Sequence, residues 1–288
     1  MISGALFFRN YTNKSYVEKI KSRFFSLLIP YLIWDTVWMI FNIVISHSFI
    51  SNYFVGREVF DISAQNILLG IFHYKGLPAL WYIFDLIVFA LAAPVIELLI
   101  SRKTTAILSI VAIMVLSQFG ITLPETMFFD GTSIIYYMIG AFIGKYYFQE
   151  FMKKSKRRDI IVSTVVCVIG IVFQYSIVME WIQLPTVLHV MLLAAIGISL
   201  WKLLDLMTEK IENIGFMKDS FLVYVIHGNL ASIVTKLIYI VFPKSAYFAI
   251  PNYLLTAVTV LLLIHTFCYF MKRYANPVYE VISGSRNG

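Results

Sequence analysis

The sequence predicts an all-α fold, a polytopic integral membrane helix bundle with eight full transmembrane helices and an N-terminal half-helix stub. Hydrophobic residues make up 60% of the 288 residues and charged residues only 14%, whereas a soluble domain carries about 25% charged residues. The mean hydropathy is +0.81. The cations lie between apolar runs, where positive-inside bias explains the net charge of +7 better than nucleic-acid binding does.

The predicted spans are continuous apolar runs, and a spanning helix needs about 20 such residues. They cover 24–46, 78–100, 104–120, 132–148, 160–177, 185–206, 219–241 and 251–271. Runs of this length favour helices over barrel strands, because a helix satisfies its own backbone polar groups in lipid. The run before Arg9 is too short to span and is typical of the tail of a membrane helix whose beginning is absent. The predicted organisation is therefore one membrane-embedded domain over 1–288, incomplete at its N-terminus.

The orientation follows from the lysines and arginines in alternate connections. One set of connections (9–23, 102–103, 145–158, 202–218 and 272–286) holds 19 of them, and the other set holds four. The first set is predicted to be cytoplasmic, so the C-terminus lies inside. An even number of spans between the stub and the C-terminus agrees with this orientation.

Asp35 is the first candidate for chemistry, because an ionisable group inside a membrane helix is costly. It lies about 16 Å into its span at 1.5 Å per residue, close to the midplane. Trp38 and Asn42 share its helix face. A functional carboxylate and a carboxylate that packs against a neighbouring helix are both open readings.

An aromatic and acidic group lies near the outer end of the second span. Asp85 follows Trp81 by one helical turn, and His73 and Lys75 come just before that helix. A tryptophan beside a carboxylate suits a sugar ring, which stacks on the indole and donates its hydroxyls to the carboxylate. The alternative is an interfacial aromatic belt, which accounts less well for Asp85.

A third candidate group lies on the helix that begins near residue 219. Ser220, Tyr224 and His227 fall on one face at i, i+4 and i+7. A neutral imidazole with a partner can act as a general base, and an interhelical hydrogen bond is the alternative. The chain has no soluble-enzyme motif and no metal-ligand spacing, so no metal site is expected.

Four short motifs occur in order along the chain. They are Ser3-Gly4 in the first apolar run, Arg23 followed by Pro30-Tyr31-Leu32-Ile33-Trp34, Leu80-Trp81-Tyr82 at a helix start, and Ser220-Phe221 with Tyr224 and His227. In this order and topology they resemble the membrane-bound acyltransferase family 3, whose members are bacterial membrane enzymes that acylate sugars of surface polysaccharides and peptidoglycan. The resemblance covers nearly the whole chain.

The resemblance implies transfer of an acyl group, commonly acetyl, from acyl-CoA to a sugar hydroxyl of a surface polysaccharide or a lipid-linked precursor. Acyl-CoA is then a co-substrate and no cofactor is held. Arg23, with Lys21 and Lys19, is expected to meet the donor phosphates from the cytoplasm. Trp81, Asp85 and His73 are expected on the acceptor side. The implied location is the bacterial cell membrane.

The family's first helix carries an arginine and a histidine with catalytic roles, and this sequence begins after the position of that helix. The catalytic candidates within the chain are therefore His227, Tyr224 and Asp35. Two alternatives stay open: a transporter or exporter of glycans or lipid-linked sugars, which would also use Asp35 and Asp85, and an inactive truncated member.

Overall fold

The computed structural model describes residues 1–48, 63, 80–119, 131–153, 156–208, 219–241 and 248–284. Every secondary-structure element in these ranges is helical, as predicted. In chain order they are α1 (Ile2–Phe8), α2 (Asn13–Arg23), a π-helical segment (Phe24–Leu28), α3 (Ile29–Ser46), α4 (Trp81–Leu91), α5 (Ala93–Leu99), α6 (Lys103–Gln118), α7 (Gly131–Tyr146), α8 (Phe148–Phe151), α9 (Arg157–Val178), α10 (Thr186–Thr208), α11 (Ser220–Val241), α12 (Ala249–Tyr274) and α13 (Asn276–Ser283).

Several of these helices are long and apolar enough to cross a membrane, so the protein is a multi-pass membrane protein. Within the described ranges, five helices have the length and hydropathy of a membrane span: the continuous helix from Ser15 to Ser46, and α9, α10, α11 and α12. A sixth is added if α4 and α5 form one span. Helices α6 and α7 have 16 residues each, about 24 Å at 1.5 Å per residue. The count of eight stays a prediction.

The predicted span over 78–100 is broken in the structure. Helices α4 and α5 are bent by 69° at Ala92. Pro94 lies in the first turn of α5, and in a straight helix its ring would clash with the carbonyl of Ala90. The apolar run predicted the segment correctly, but the proline divides it into two helices.

The described chain forms two compact units. The first contains Met1–Ile20 and Val88–Asn213, and the second contains Lys21–Ile87 and Ile214–Gly288. In the first unit, α1 and α6 pack on α7, and α9 packs on α10. In the second, α11 packs on α12, and α13 packs on α3, α12 and the π-helical segment.

Glycines allow α1 and α7 to approach within backbone contact in the first unit. A methyl group added at Gly140 would lie 2.7 Å from the carbonyl carbon of Met1, and one added at Gly144 would lie 2.7 Å from the Cα of Ala5. Gly4 faces the backbone of Tyr137 in the same interface. Small residues four apart are a common device for packing membrane helices, because they let the backbones meet.

We expect Gly144→Ala to destabilise the protein, because the added methyl group meets backbone that cannot rotate away. Overpacking of this kind costs about 1–3 kcal/mol. The measurement is the thermal unfolding midpoint in detergent micelles. Gly228→Ala is the matched control, since a Cβ there has nothing within 4 Å. Equal midpoints for the two variants would contradict the packing.

The π-helical segment lies between Arg23 and α3. The N–H of Ile29 bonds to the carbonyl of Phe24, five residues earlier. Pro30 follows in the first turn of α3 and has no N–H to offer the carbonyl of Ser26. π-helical turns of this kind occur often at functional sites, and this one begins directly after Arg23.

Candidate functional site

Asp35 lies on the buried face of α3 in the second unit. Its side chain is fully buried, as are most of Trp34 and Trp38 on the same side of the helix. The indole N–H of Trp38 is also buried and has no hydrogen-bond acceptor within the described ranges. An acidic group and an indole donor thus lie deep in a membrane span. Burial of polar groups there costs free energy unless they hydrogen-bond to a ligand or to a neighbouring helix.

Helix α4 brings a second buried carboxylate into the same unit. Asp85 is 4% exposed, whereas Trp81, one turn earlier, is 41% exposed. Phe84 contacts Tyr31 of α3 with ring centroids 5.8 Å apart. The predicted acceptor pair therefore divides into an accessible indole and an enclosed carboxylate.

Asp85 lies near Tyr224 in the structure, although the sequence analysis assigned the two residues to separate groups. Asp85 and Tyr82 both lie near enough to Tyr224 to act electrostatically on its hydroxyl. Tyr224 is half-buried on α11, and its ring centroid lies 6.3 Å from that of His227. This electrostatic proximity relates the predicted acceptor residues to the predicted catalytic helix.

The hydrogen bonds of His227 define which ring nitrogen is basic. Its Nδ1 lies 2.9 Å from the carbonyl oxygen of Val223 and 2.8 Å from that of Tyr224. A carbonyl oxygen only accepts hydrogen bonds, so Nδ1 carries the proton of the neutral ring. Nε2 is then the basic nitrogen, and the side chain is exposed. This tautomer suits a general base acting through Nε2.

The three predicted donor-side cations have different surroundings. Arg23 is half-buried at the end of α2, next to the π-helical segment, and Lys21 is exposed. Lys19 lies in the first unit, where its Nζ donates to the carbonyl oxygens of Phe7 at 2.5 Å and Arg9 at 3.2 Å. A cation at this position stabilises the C-terminal end of α1 by donating to these carbonyl oxygens and through the helix dipole.

We expect Lys19→Met to lower the thermal unfolding midpoint, because it removes charged hydrogen bonds worth about 1.5–3 kcal/mol each. Lys21→Met is the matched control on the same helix and should unfold like the unmodified protein. The measurement is the thermal unfolding midpoint in detergent micelles. An unchanged midpoint for Lys19→Met would contradict a stabilising role for these hydrogen bonds, and the donor-side role of Lys19 stays a prediction.

His73 was predicted on the acceptor side and lies outside the described residues.

The sequence analysis did not predict a polar group that lies at helix ends in the second unit. Asp219, directly before α11, is 2% exposed, and its carboxylate accepts a hydrogen bond from the hydroxyl of Tyr279. Lys272 Nζ lies 2.6 Å from the same carboxylate. No local pattern marks partners that lie more than 50 residues apart in the chain.

A cavity of about 280 Å³ in the first unit was also not predicted. It lies between the end of α1 and the α7–α8 connection, and Arg9, Tyr11 and Lys145 are among its lining residues. The guanidinium of Arg9 lies 4.6 Å from the centroid of the Phe148 ring. Burial, and then the nearby Glu97, raise the pKa of Tyr11. None of the predicted site residues lines this cavity.

A scan against protein-family models matches residues 1–273 to a family described as an acyltransferase domain. No curated protein and no solved structure matches the chain. The match spans nearly the whole chain and all of its long apolar helices. The protein belongs to acyltransferase family 3, a family of membrane acyltransferases.

Proposed function

We propose that the protein transfers an acyl group, and acetyl foremost, from cytoplasmic acyl-CoA to a sugar hydroxyl of a cell-surface polysaccharide or its lipid-linked precursor. One observation carries this proposal. A buried carboxylate, Asp85, lies near enough to act electrostatically on Tyr224, which is on the helix that bears His227. An acid, a phenol and an imidazole with a basic Nε2 supply the groups that acyl transfer between a thioester and an alcohol needs.

The proposed step is direct attack of a sugar hydroxyl on the thioester carbonyl. His227 Nε2 takes the hydroxyl proton while the oxygen forms a bond to the carbonyl carbon. The tetrahedral intermediate collapses as the C–S bond breaks, and the CoA thiolate leaves with the electron pair and is protonated by the imidazolium. Tyr224 donates to the oxyanion, which favours the transition state over the ground state. The sugar ester and CoA are the products.

Binding of the two substrates is assigned to opposite ends of the second unit. Arg23, assisted by Lys21, pairs with the CoA phosphates, because a guanidinium makes bidentate bonds to phosphate. Trp81 offers an exposed face for a sugar ring, and Asp85 accepts from a sugar hydroxyl. Asp35 orients the imidazole or balances its charge after proton transfer. His73 belongs to the acceptor side in this proposal.

The topology in this proposal has eight spans in a single domain over 1–288, in the cell membrane of a bacterium, with the C-terminus inside. The excess of Lys and Arg on one side, 19 against four, supports it. Helices α6 and α7 then cross as short spans, and the bent pair α4 and α5 counts as one. Local bilayer thinning accommodates short spans at a modest cost per ångström.

The test is acyl transfer in membranes from cells that express the protein. Radiolabelled acetyl-CoA is added, and glycan is extracted and treated with mild alkali, which releases O-acetyl esters. Label released as acetate above the level of cells without the gene supports the proposal. No alkali-labile label above that level overturns it.

A second candidate function is transport of glycans or lipid-linked sugars. The 69° break between α4 and α5 favours it, because transporters often place their sites at interrupted helices. The two functions differ in their need for the donor. Glycan export that continues in membranes depleted of acyl-CoA and disappears without the gene would favour transport.

A further inference from the structure

Helix α13 lies beyond the region that the family model matches, which ends at residue 273. It is eight residues long and ends at Ser283, and its C-cap, Gly284, has a left-handed φ of 78°. Its inner face is buried through Tyr279, Ile282 and Ser283, and Val281 is 45% exposed on the other face. The helix therefore has one face that packs against the second unit.

The C-terminal end of α13 contacts the second turn of α3 and the π-helical segment. The indole N–H of Trp34 donates to the carbonyl oxygen of Ile282 at 3.0 Å, in a buried hydrogen bond. Trp34 directly precedes Asp35. Gly284 lies against the backbone of Ser26, and a methyl group there would be 3.2 Å from the Ser26 carbonyl carbon. Ser26 is the residue whose carbonyl Pro30 leaves without an α-helical donor.

The middle of α13 contacts the beginning of α11 and the end of α12. Tyr279 is 1% exposed and donates to the buried carboxylate of Asp219, which precedes the first residue of α11. Lys272 at the end of α12 pairs with that carboxylate and lies 5.0 Å from the Tyr279 ring centroid. Burial raises the pKa of Tyr279, so its hydroxyl stays protonated and keeps donating.

We propose that α13 is a positioning element for the site, because it binds at once to the three segments that carry the candidate residues. Trp34 fixes the turn of α3 that bears Asp35, Gly284 fixes the π-helical segment next to Arg23, and Tyr279 fixes the start of the helix that bears Tyr224 and His227. The catalytic part of this inference rests on the proposed function. Trp34, Tyr279 and Gly284 act through other residues and touch no substrate.

The size of the effect follows from the geometry of catalysis. A displacement of about 1 Å in a positioned group can cost about 100-fold in rate. Loss of α13 is expected to lower kcat strongly and to lower the unfolding midpoint only slightly. The reason is that α13 is short, while the spans that form the core of the second unit remain. Tyr279→Phe removes the hydroxyl that bonds to Asp219 and keeps the ring in place.

The first measurement detects docking without any need for activity. The full chain is labelled with fluorotryptophan, and the fluorine NMR signal of Trp34 is assigned from Trp34→Phe. Deletion of 276–288 and Gly284→Ala should both shift that signal. Val281→Ala on the exposed face of α13 and Gly228→Ala, which has open space, should leave it in place. An unmoved signal in the deletion would show that α13 does not dock.

The second measurement separates positioning from simple stability. Tyr279→Phe should reduce kcat for acetyl transfer by about 10-fold or more with an unfolding midpoint close to that of Val281→Ala. Asp219→Asn weakens the bond to Tyr279 and also removes the ion pair with Lys272, so its combination with Tyr279→Phe should be no worse than the poorer single variant. If kcat stays within about two-fold in every variant, α13 is only a docked segment. If the unmodified protein shows no transfer, the proposed function and the positioning role both fail, and the NMR result still decides docking.

Discussion

Replacement of His227 by Ala is expected to lower kcat for acyl transfer by at least about 100-fold, the usual contribution of a positioned general base. Nδ1 is engaged by the carbonyl oxygens of Val223 and Tyr224, so only Nε2 is basic in the neutral ring. The KM for acetyl-CoA should change little, because the proposed function assigns the donor phosphates to Arg23. The measurement is steady-state transfer of radiolabelled acetyl in membranes that contain equal amounts of protein.

His265→Ala is the matched control for His227→Ala, because His265 is an exposed histidine on another membrane helix of the same unit. It should keep nearly full activity. The assignment of the base is wrong if His227→Ala retains kcat within about two-fold of the unmodified protein. A loss of protein from the membrane would show up as a lower amount of chain, which the equal-loading comparison separates from a lower kcat.

Replacement of Arg23 by Ala is expected to raise the KM for acetyl-CoA by about 10- to 100-fold, since charged hydrogen bonds are worth about 1.5–3 kcal/mol. Arg23→Lys should restore only part of the affinity, because a lysine makes no bidentate contact. Arg157→Ala, an exposed arginine at the beginning of α9, controls for a general loss of positive charge.

A truncated donor tests the physical reason for the Arg23 effect. Acetyl-pantetheine carries the thioester without the CoA phosphates. The unmodified protein and Arg23→Ala should therefore use it equally, although they differ with acetyl-CoA. An equal penalty with both donors would show that Arg23 maintains the structure of the π-helical segment and does not pair with phosphate.

The long helices were predictable because each depends on one local property, a continuous apolar run. Helices α9 to α12 match their predicted spans to within a few residues at each end. The break at Ala92 and the π-helical segment were less accessible to sequence reasoning. Pro94 and Pro30 could be read from the sequence. The bend angle between α4 and α5 and the π-helical turn before Pro30 depend on the packing around these prolines.

The candidate site was predictable in its residue types and less so in its groupings. Asp35 was expected deep in a span and is fully buried. The proximity of Asp85 to Tyr224 joins residues separated by 139 positions (224 − 85), and no local period signals such a pair. The sequence analysis grouped Lys19 with Arg23 and Lys21. The contact of Lys19 with the end of α1 could not be predicted without knowing where that helix ends.

The central claim is that the donor enters from the cytoplasmic face and its acyl group ends on a glycan. Sealed inside-out and right-side-out membrane vesicles test it directly, with radiolabelled acetyl-CoA supplied only in the outer buffer. Alkali-labile label on glycan is expected in inside-out vesicles and absent from right-side-out vesicles. Equal labelling in both preparations, or labelling of right-side-out vesicles alone, would contradict the assignment of Arg23 to a cytoplasmic donor site.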